Sequence, residues 1–393
     1  MKRTALLFAA TTLVTAAGPA AAEETIKLGL SVPLSGAAAA WGQGAEFMCE
    51  TAADEIREAG GVNVDGETYN FECVAYDNKY NAADGTKVAQ TLLNREGVQF
   101  IGGSLGTAPV KALQSLSERQ GVLLFTTAWG SSLKGPDYPL TFTQMNTPHE
   151  ILPRLIKHIK DANPDLETVA LLNPNDATGQ ETEAIARKVW ENVGVKVLDS
   201  SFYERGTTEF QPIVTKLDSL GADAVDLGAS PPADAGVVFK ELDVLGWDGV
   251  KVVEVGTGAA PLMATAGDAA EGVYMGAAVD LESDRASAHQ KAVNEKAIAT
   301  FGEAPNAVTI GFYDALFALK AAMEEAGSVE PEAVAKALPE ITFDTFYDTK
   351  GAFGGEATYG SRQQILLPVI VTQVKDGRLV EVERIDAEEP APQ

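Results

Sequence analysis

Cysteine is nearly absent from this chain of 393 residues: only Cys49 and Cys73 occur, and histidine appears three times, as His149, His158 and His289. Three scattered histidines and no close cysteine pair exclude a recognisable transition-metal site. Calcium loops are missing as well, and the stretch GGSLGT at residues 102–107 lacks the full G-x-G-x-x-G dinucleotide spacing. No cofactor is expected. Basic residues are scarce, 30 Lys and Arg against 56 Asp and Glu for a net charge of -26. Such a surface repels phosphates, so nucleic acid is excluded as a partner and the acidity reads as solvation. Beyond the first 22 residues no long apolar run follows, and no transmembrane segment is expected.

What the N-terminus does contain is Lys2 and Arg3, an apolar run from Ala5 to Ala17, and Ala20 and Ala22 at signal-peptidase spacing. Residues 1–22 therefore read as a secretory signal peptide. No cysteine follows the cleavage site to take a lipid, which favours a protein free in the periplasm over an anchored one. The remaining roughly 371 residues exceed one ordinary core, so two lobes are expected. In an oxidising compartment the two cysteines are expected to form a disulfide, with two buried thiols as the alternative. Cys49 lies on the apolar row Ala45, Cys49, Ala52, Ile56 of a predicted helix, and Cys73 lies in the following strand with Phe71 and Ala75. A bridge would close a loop of about 24 residues, a constraint on the order of 3 kcal/mol. Neither cysteine has a histidine or basic cluster near in sequence to activate it.

Short apolar strands alternate with helical stretches. IKLGLSVPL, FECVAY, VQFIGG and VLLFTT come first; VALLNP, VKVLDSSFY, ADAVDLGAS and VKVVEVG repeat the pattern after Pro148, with helices starting near Thr178, Thr208 and Ala233. Such alternation requires crossover connections, hence α/β lobes with doubly wound parallel sheets. A largely helical section runs from Ala286 to Leu338, with an amphipathic helix near Ile310 to Ala326. The chain closes on a hairpin turning at Asp376-Gly377 and a frayed tail, DAEEPAPQ.

In open parallel sheets, ligands bind beyond the carboxyl ends of the strands. Those positions are rich here in small hydroxyl residues, glycine and tryptophan. After the first strand come Ser35, Gly36 and Trp41; after the third, Gly103, Ser104, Leu105, Gly106 and Thr107; after the fourth, Thr126, Thr127, Ala128 and Trp129. Small residues let backbone N–H groups approach a ligand, hydroxyls give directional hydrogen bonds, and tryptophan gives an apolar wall. Thr107 is a plausible cap for the helix it begins, with Pro109 near its first turn, and free N–H groups there suit a carboxylate. The second lobe offers residues 175–178 including Thr178, then Ser230 with Pro231, then Gly256 with Thr257. Each feature also has a plain structural reading as turn, cap or core. Gly102, Ser104 and Gly106 additionally spell G-x-S-x-G, the nucleophile elbow of a serine hydrolase, but no histidine is well placed to serve Ser104.

The order and spacing of IKLGLSVPLSG, WGQGAEF, REGVQFIGG, SERQGVLLFTTA and AGDAAEGVY carry a likeness across nearly all of the mature chain. The chain resembles the type I periplasmic solute-binding proteins of ABC importers, in particular the branched-chain amino-acid group. That resemblance implies two lobes joined by three crossovers, residues 23–145 with about 279–345 and residues 146–278 with about 346–393. It implies a non-enzymatic monomer that takes a small molecule into the cleft, closes by hinge motion, and docks on a membrane permease. The family's carboxylate-binding positions fall near Gly106 and Thr107, a second group near Thr127, Ala128 and Trp129, and an aromatic at the cleft mouth at Trp41. The second lobe departs from the pattern. Asp176, Ala177 and Thr178 stand where a tyrosine is usual, a further tyrosine is replaced by Ser230 or Pro231, and the acid that receives a ligand ammonium has only Glu254 nearby. A branched-chain amino acid is the first expectation, and an aromatic or other small carboxylate or amide the second.

Overall fold

The alternating apolar runs form two sheets in the computed structural model, which describes residues 24–254 and 257–388. The expected signal peptide, Gly256 and the end of the tail lie outside the described residues. The strands are β1 (Glu24–Val32), β2 (Val62–Val64), β3 (Glu67–Asp77), β4 (Phe100–Ser104), β5 (Leu123–Thr126), β6 (Thr141–Thr143), β7 (Thr168–Pro174) and β8 (Lys196–Tyr203). They continue as β9 (Ala224–Asp226), β10 (Val250–Val253), β11 (Tyr274–Met275), β12 (Phe343–Asp344), β13 (Lys350–Gly354), β14 (Gln364–Leu366), β15 (Val369–Lys375) and β16 (Arg378–Ile385). The first sheet has the order β12-β13-β14-β6-β5-β4-β1-β3-β2 and the second β16-β15-β11-β10-β9-β7-β8.

Each sheet has a parallel heart, β3-β1-β4-β5-β6-β14 and β8-β7-β9-β10-β11, with antiparallel strands β2, β13 and β12 beyond the first and β15 and β16 beyond the second. Residues such as Leu28, Leu30, Phe100 and Phe125 in one lobe, and Leu172, Val225 and Val253 in the other, are wholly buried, as strands covered on both faces require. Cys49, on the inner face of the helix Ala39–Glu58, is bonded to Cys73 of β3 with the Cα atoms 6.3 Å apart. The closing hairpin turns at Asp376 and Gly377 with φ of 52° and 66°. Two positive values are what a two-residue turn matching strand twist demands.

The chain crosses between sheets after β6, after β11, and between β14 and β15. The crossings are laced together. Asn146 Nδ2 donates to the carbonyls of Leu367 at 3.0 Å and Pro368 at 3.2 Å, and the Ala307 N–H donates to the Ala277 carbonyl at 3.1 Å. The third crossing corrects the expected lobe boundary at 345/346. β13 pairs antiparallel with β14, and β14 pairs with β6, so residues through Leu366 belong to the first sheet. β13 is short and glycine-rich, and the apolar residues of β14 run on through Pro368 into β15, so the sequence does not mark where one strand ends and the next begins. The helix expected near Thr208 begins at Gln211, because Phe210 occupies its cap and Pro212 its first turn.

Candidate ligand-binding cleft

Both parallel hearts have one strand order: in each, the second strand lies outside the first, and the third, fourth and fifth follow on the other side. The order reverses between β1 and β4 in one lobe and between β7 and β9 in the other, and a crevice opens beyond the strand ends at such a point. A shared packing device sets the entry of each lobe's first helix. A Cβ on Gly42 would lie 1.9 Å from the Pro33 carbonyl oxygen, and one on Gly179 would lie 2.0 Å from the Pro174 carbonyl oxygen. Only glycine lets helix backbone approach the strand end this closely. Trp41 and Thr178 are thereby brought to the cleft.

Seven sequence-selected residues line one interlobe cavity: Trp41, Leu105, Gly106, Thr127, Ala128, Trp129 and Thr178. The empty space among them and their neighbours, open solvent at the mouth included, is about 330 Å³. Two others close it from opposite lobes. Trp41 Nε1 donates to Thr257 Oγ1 at 2.7 Å, and the Thr178 hydroxyl donates to Thr107 Oγ1 at 2.8 Å. Thr107 does not cap its helix. Gly106, with φ of 90°, is the cap residue of Thr107–Gln120, and the Thr107 side chain turns across the cleft instead. Ser230 is buried, beside the Tyr203 hydroxyl, and it is its neighbour Ala229 that reaches the cavity.

A further set of contacts joins the lobes at the cleft edge. Glu181 of the helix Ala177–Asn192 accepts from Lys111 Nζ at 3.0 Å, from the Ser132 hydroxyl at 2.8 Å and from the Ser132 N–H at 3.2 Å. Burial alone would raise the Glu181 pKa, but the Ser132 and Lys111 hydrogen bonds outweigh it and hold the carboxyl below its ordinary value.

Tyr80, Ala229 and Val308 also line the cavity and were not singled out from the sequence. Tyr80 follows β3 in the left-handed region, with φ of 57°, and its ring lies 6.2 Å from that of Trp41. Arg205, which follows β8, sets its guanidinium 4.4 Å from the Tyr80 ring centre. Both sit at strand carboxyl ends, so applying the same rule to the second strand of each lobe would have found them. Val308 comes from the helix Ala307–Ala326 beside a crossing, for which the sequence holds no signal.

Glu254 does not face the cavity. It is fully buried against Asp226, which accepts from Trp190 Nε1 at 2.8 Å and from the Gly228 N–H at 2.9 Å. Burial raises the pKa of both carboxyls, Glu254 well above its usual range. The hydrolase alternative fails on its nucleophile. Ser104 is buried and donates to the Phe125 carbonyl at 3.0 Å, while His158 and His289 are engaged by Glu383 and Glu55. Among the described residues no group of His, Cys, Asp and Glu could hold a metal ion, and no helix is long and apolar enough to cross a membrane.

Residues 25–378 match the family model described as periplasmic binding protein. The leucine-, isoleucine-, valine-, threonine- and alanine-binding protein of Pseudomonas aeruginosa is 27% identical over 345 residues, covering 88% of this chain and 90% of that one. Two solved structures share the fold. A leucine-binding protein of Thermotoga maritima has a TM-score of 0.76 at 18% identity, covering 92% of this chain and 99% of that one. A solute-binding protein of an R. palustris ABC transporter, in complex with benzoate, has a TM-score of 0.77 at 17% identity, covering 94% and 98%. The chain thus belongs to the periplasmic binding protein family, whose members bind small solutes for ABC transporters and are not enzymes.

Proposed function

We propose that the mature protein is a monomer free in the periplasm, that it captures a compact carboxylate solute between its lobes, and that its closed form delivers the solute to a membrane ABC permease. The observation that carries this reading is the cavity at two opposed strand-order reversals, closed by hydrogen bonds from one lobe to the other. A solute touching both walls stabilises the closed arrangement by its differential affinity for the two states, and an open form prevails without it. The carboxylate belongs at Gly106 and Thr107, where the helix Thr107–Gln120 begins and its first N–H groups have no partner within the helix.

The names of the relatives make a branched-chain or related amino acid the first reading of the ligand. An aromatic acid is the second, favoured by two observations: Trp41, Tyr80 and Trp129 form three aromatic walls, and Glu254 is turned away from any ligand ammonium. A buried ammonium without an anion is costly.

Thermal-shift screening of ligand-stripped protein against amino acids, aromatic acids, amides and small peptides tests the proposal. One class of small carboxylate should raise the melting temperature by several degrees, and Thr127→Ala should weaken that ligand's binding. No shift with any carboxylate, or conversion of the bound solute to a product, would contradict it.

A further inference from the structure

Two donor groups on the second lobe's side of the cleft are buried without an acceptor. Arg205 gives its Nε–H to Asp176, and its Nη1 and Nη2 are shut off from solvent with no acceptor. Asn173 is buried with its orientation fixed, because Oδ1 accepts the Ala229 N–H at 3.0 Å; its Nδ2 then has no acceptor. These are donors only. The carboxylates nearby are already engaged: Asp176 with Arg205 and the Gly179 N–H, Asp234 with the Tyr203 hydroxyl at 3.0 Å, and Glu254 with Asp226.

The two donor groups sit directly behind residues that line the cavity. The Arg205 guanidinium lies over the Tyr80 ring, 4.4 Å from its centre, and Asn173 holds Ala229, and both Tyr80 and Ala229 line the space. A guanidinium on an aromatic face keeps its planar fork oriented for a two-oxygen acceptor. Buried donors without acceptors are unfavourable, and a ligand that supplies the acceptors relieves them.

We infer that the second lobe recognises an acceptor group through Arg205 and Asn173, so that the preferred solute carries a carboxylate or other oxyanion at the end facing that lobe, and an α-ammonium is selected against. The inference rests on the carboxylate-solute reading above and narrows it to acids with acceptors at both ends, such as compact aromatic dicarboxylates. Arg205 is then the specificity-determining residue that distinguishes this cleft from one built for zwitterions.

Isothermal titration calorimetry of stripped protein with terephthalate, benzoate, leucine and phenylalanine tests the inference. The expected result is that terephthalate binds at least tenfold more tightly than either amino acid, and that Arg205→Gln removes most of that advantage. Should Arg205→Gln melt early, Arg205→Lys keeps a cation beside Asp176 without the paired Nη donors, and it should show the same loss. Asn173→Ala should weaken terephthalate more than leucine. Tighter binding of leucine or phenylalanine than of both acids, or terephthalate affinity unchanged within twofold in the Arg205 variants, overturns the inference while leaving solute binding intact. Failure of all four solutes to bind overturns it together with the reading on which it rests.

Discussion

Gly42 and Gly179 show how single residues place the cleft. Each sits in the helix that follows the first strand of its lobe, and in each the missing side chain is what lets the helix meet a proline carbonyl. The obstructing atoms are backbone, which cannot swing aside. Gly42→Ala or Gly179→Ala should therefore cost about 1–3 kcal/mol, as overpacking does, measured as a lower urea midpoint. A loss below about 0.5 kcal/mol would show that strand and helix can separate freely. At this scale the sequence was informative where residue type and position agreed. Hydroxyls, glycines and tryptophans after strand ends led to Trp41, Gly106, Thr127, Trp129 and Thr178, which line one space. It was less informative about what each side chain does: Thr107 has the residue type of a cap, yet it spends its hydroxyl on the opposite lobe, a partner 71 residues away in sequence.

Among elements, the helix Ala307–Ala326 runs through the first lobe with Asp314 fully buried on it. The Phe346 N–H donates to Asp314 Oδ1 at 2.7 Å, but burial dominates and pushes the Asp314 pKa up to about 8. The folded chain then holds a proton that the unfolded chain releases above a pH of about 4. This contribution to stability falls as pH rises from about 4 to about 8 and is level above that. Urea unfolding at pH 5 and pH 9 should show a larger loss in the native chain than in Asp314→Asn, and equal losses would contradict the assignment. Elements with a strong period were readable in advance, as the parallel strands and the Asp376-Gly377 hairpin show. β12, β13 and β14 were not, because two- to five-residue strands at a sheet edge draw their order from pairing in series outward from β6 rather than from their own pattern.

At the scale of the molecule, three laced crossings join the two lobes, and a further set of contacts bridges them at the cleft edge. Glu181 collects four donors from the opposite lobe, from Lys111, Ser131 and twice from Ser132. Part of this cluster is exposed, so solvent screening limits its worth. Glu181→Ala should weaken closure by about 1 kcal/mol, read as a roughly fivefold loss of ligand affinity. In the native chain the same contribution is present above a pH of about 4.5 and is lost as pH falls below it, since the closed-state carboxyl is held below its ordinary value. The two-lobed plan was legible because each lobe repeats one order of strands and helices. The ligand was not, because its recognition depends on groups such as Arg205 and Tyr80 that meet only when the lobes do.

The most direct measurement is small-angle X-ray scattering on ligand-stripped protein, before and after saturation with the solute recovered from the purified protein. The account predicts a smaller radius of gyration at one solute per chain, reversed when the solute is removed unchanged. An identical radius with and without bound solute would contradict it.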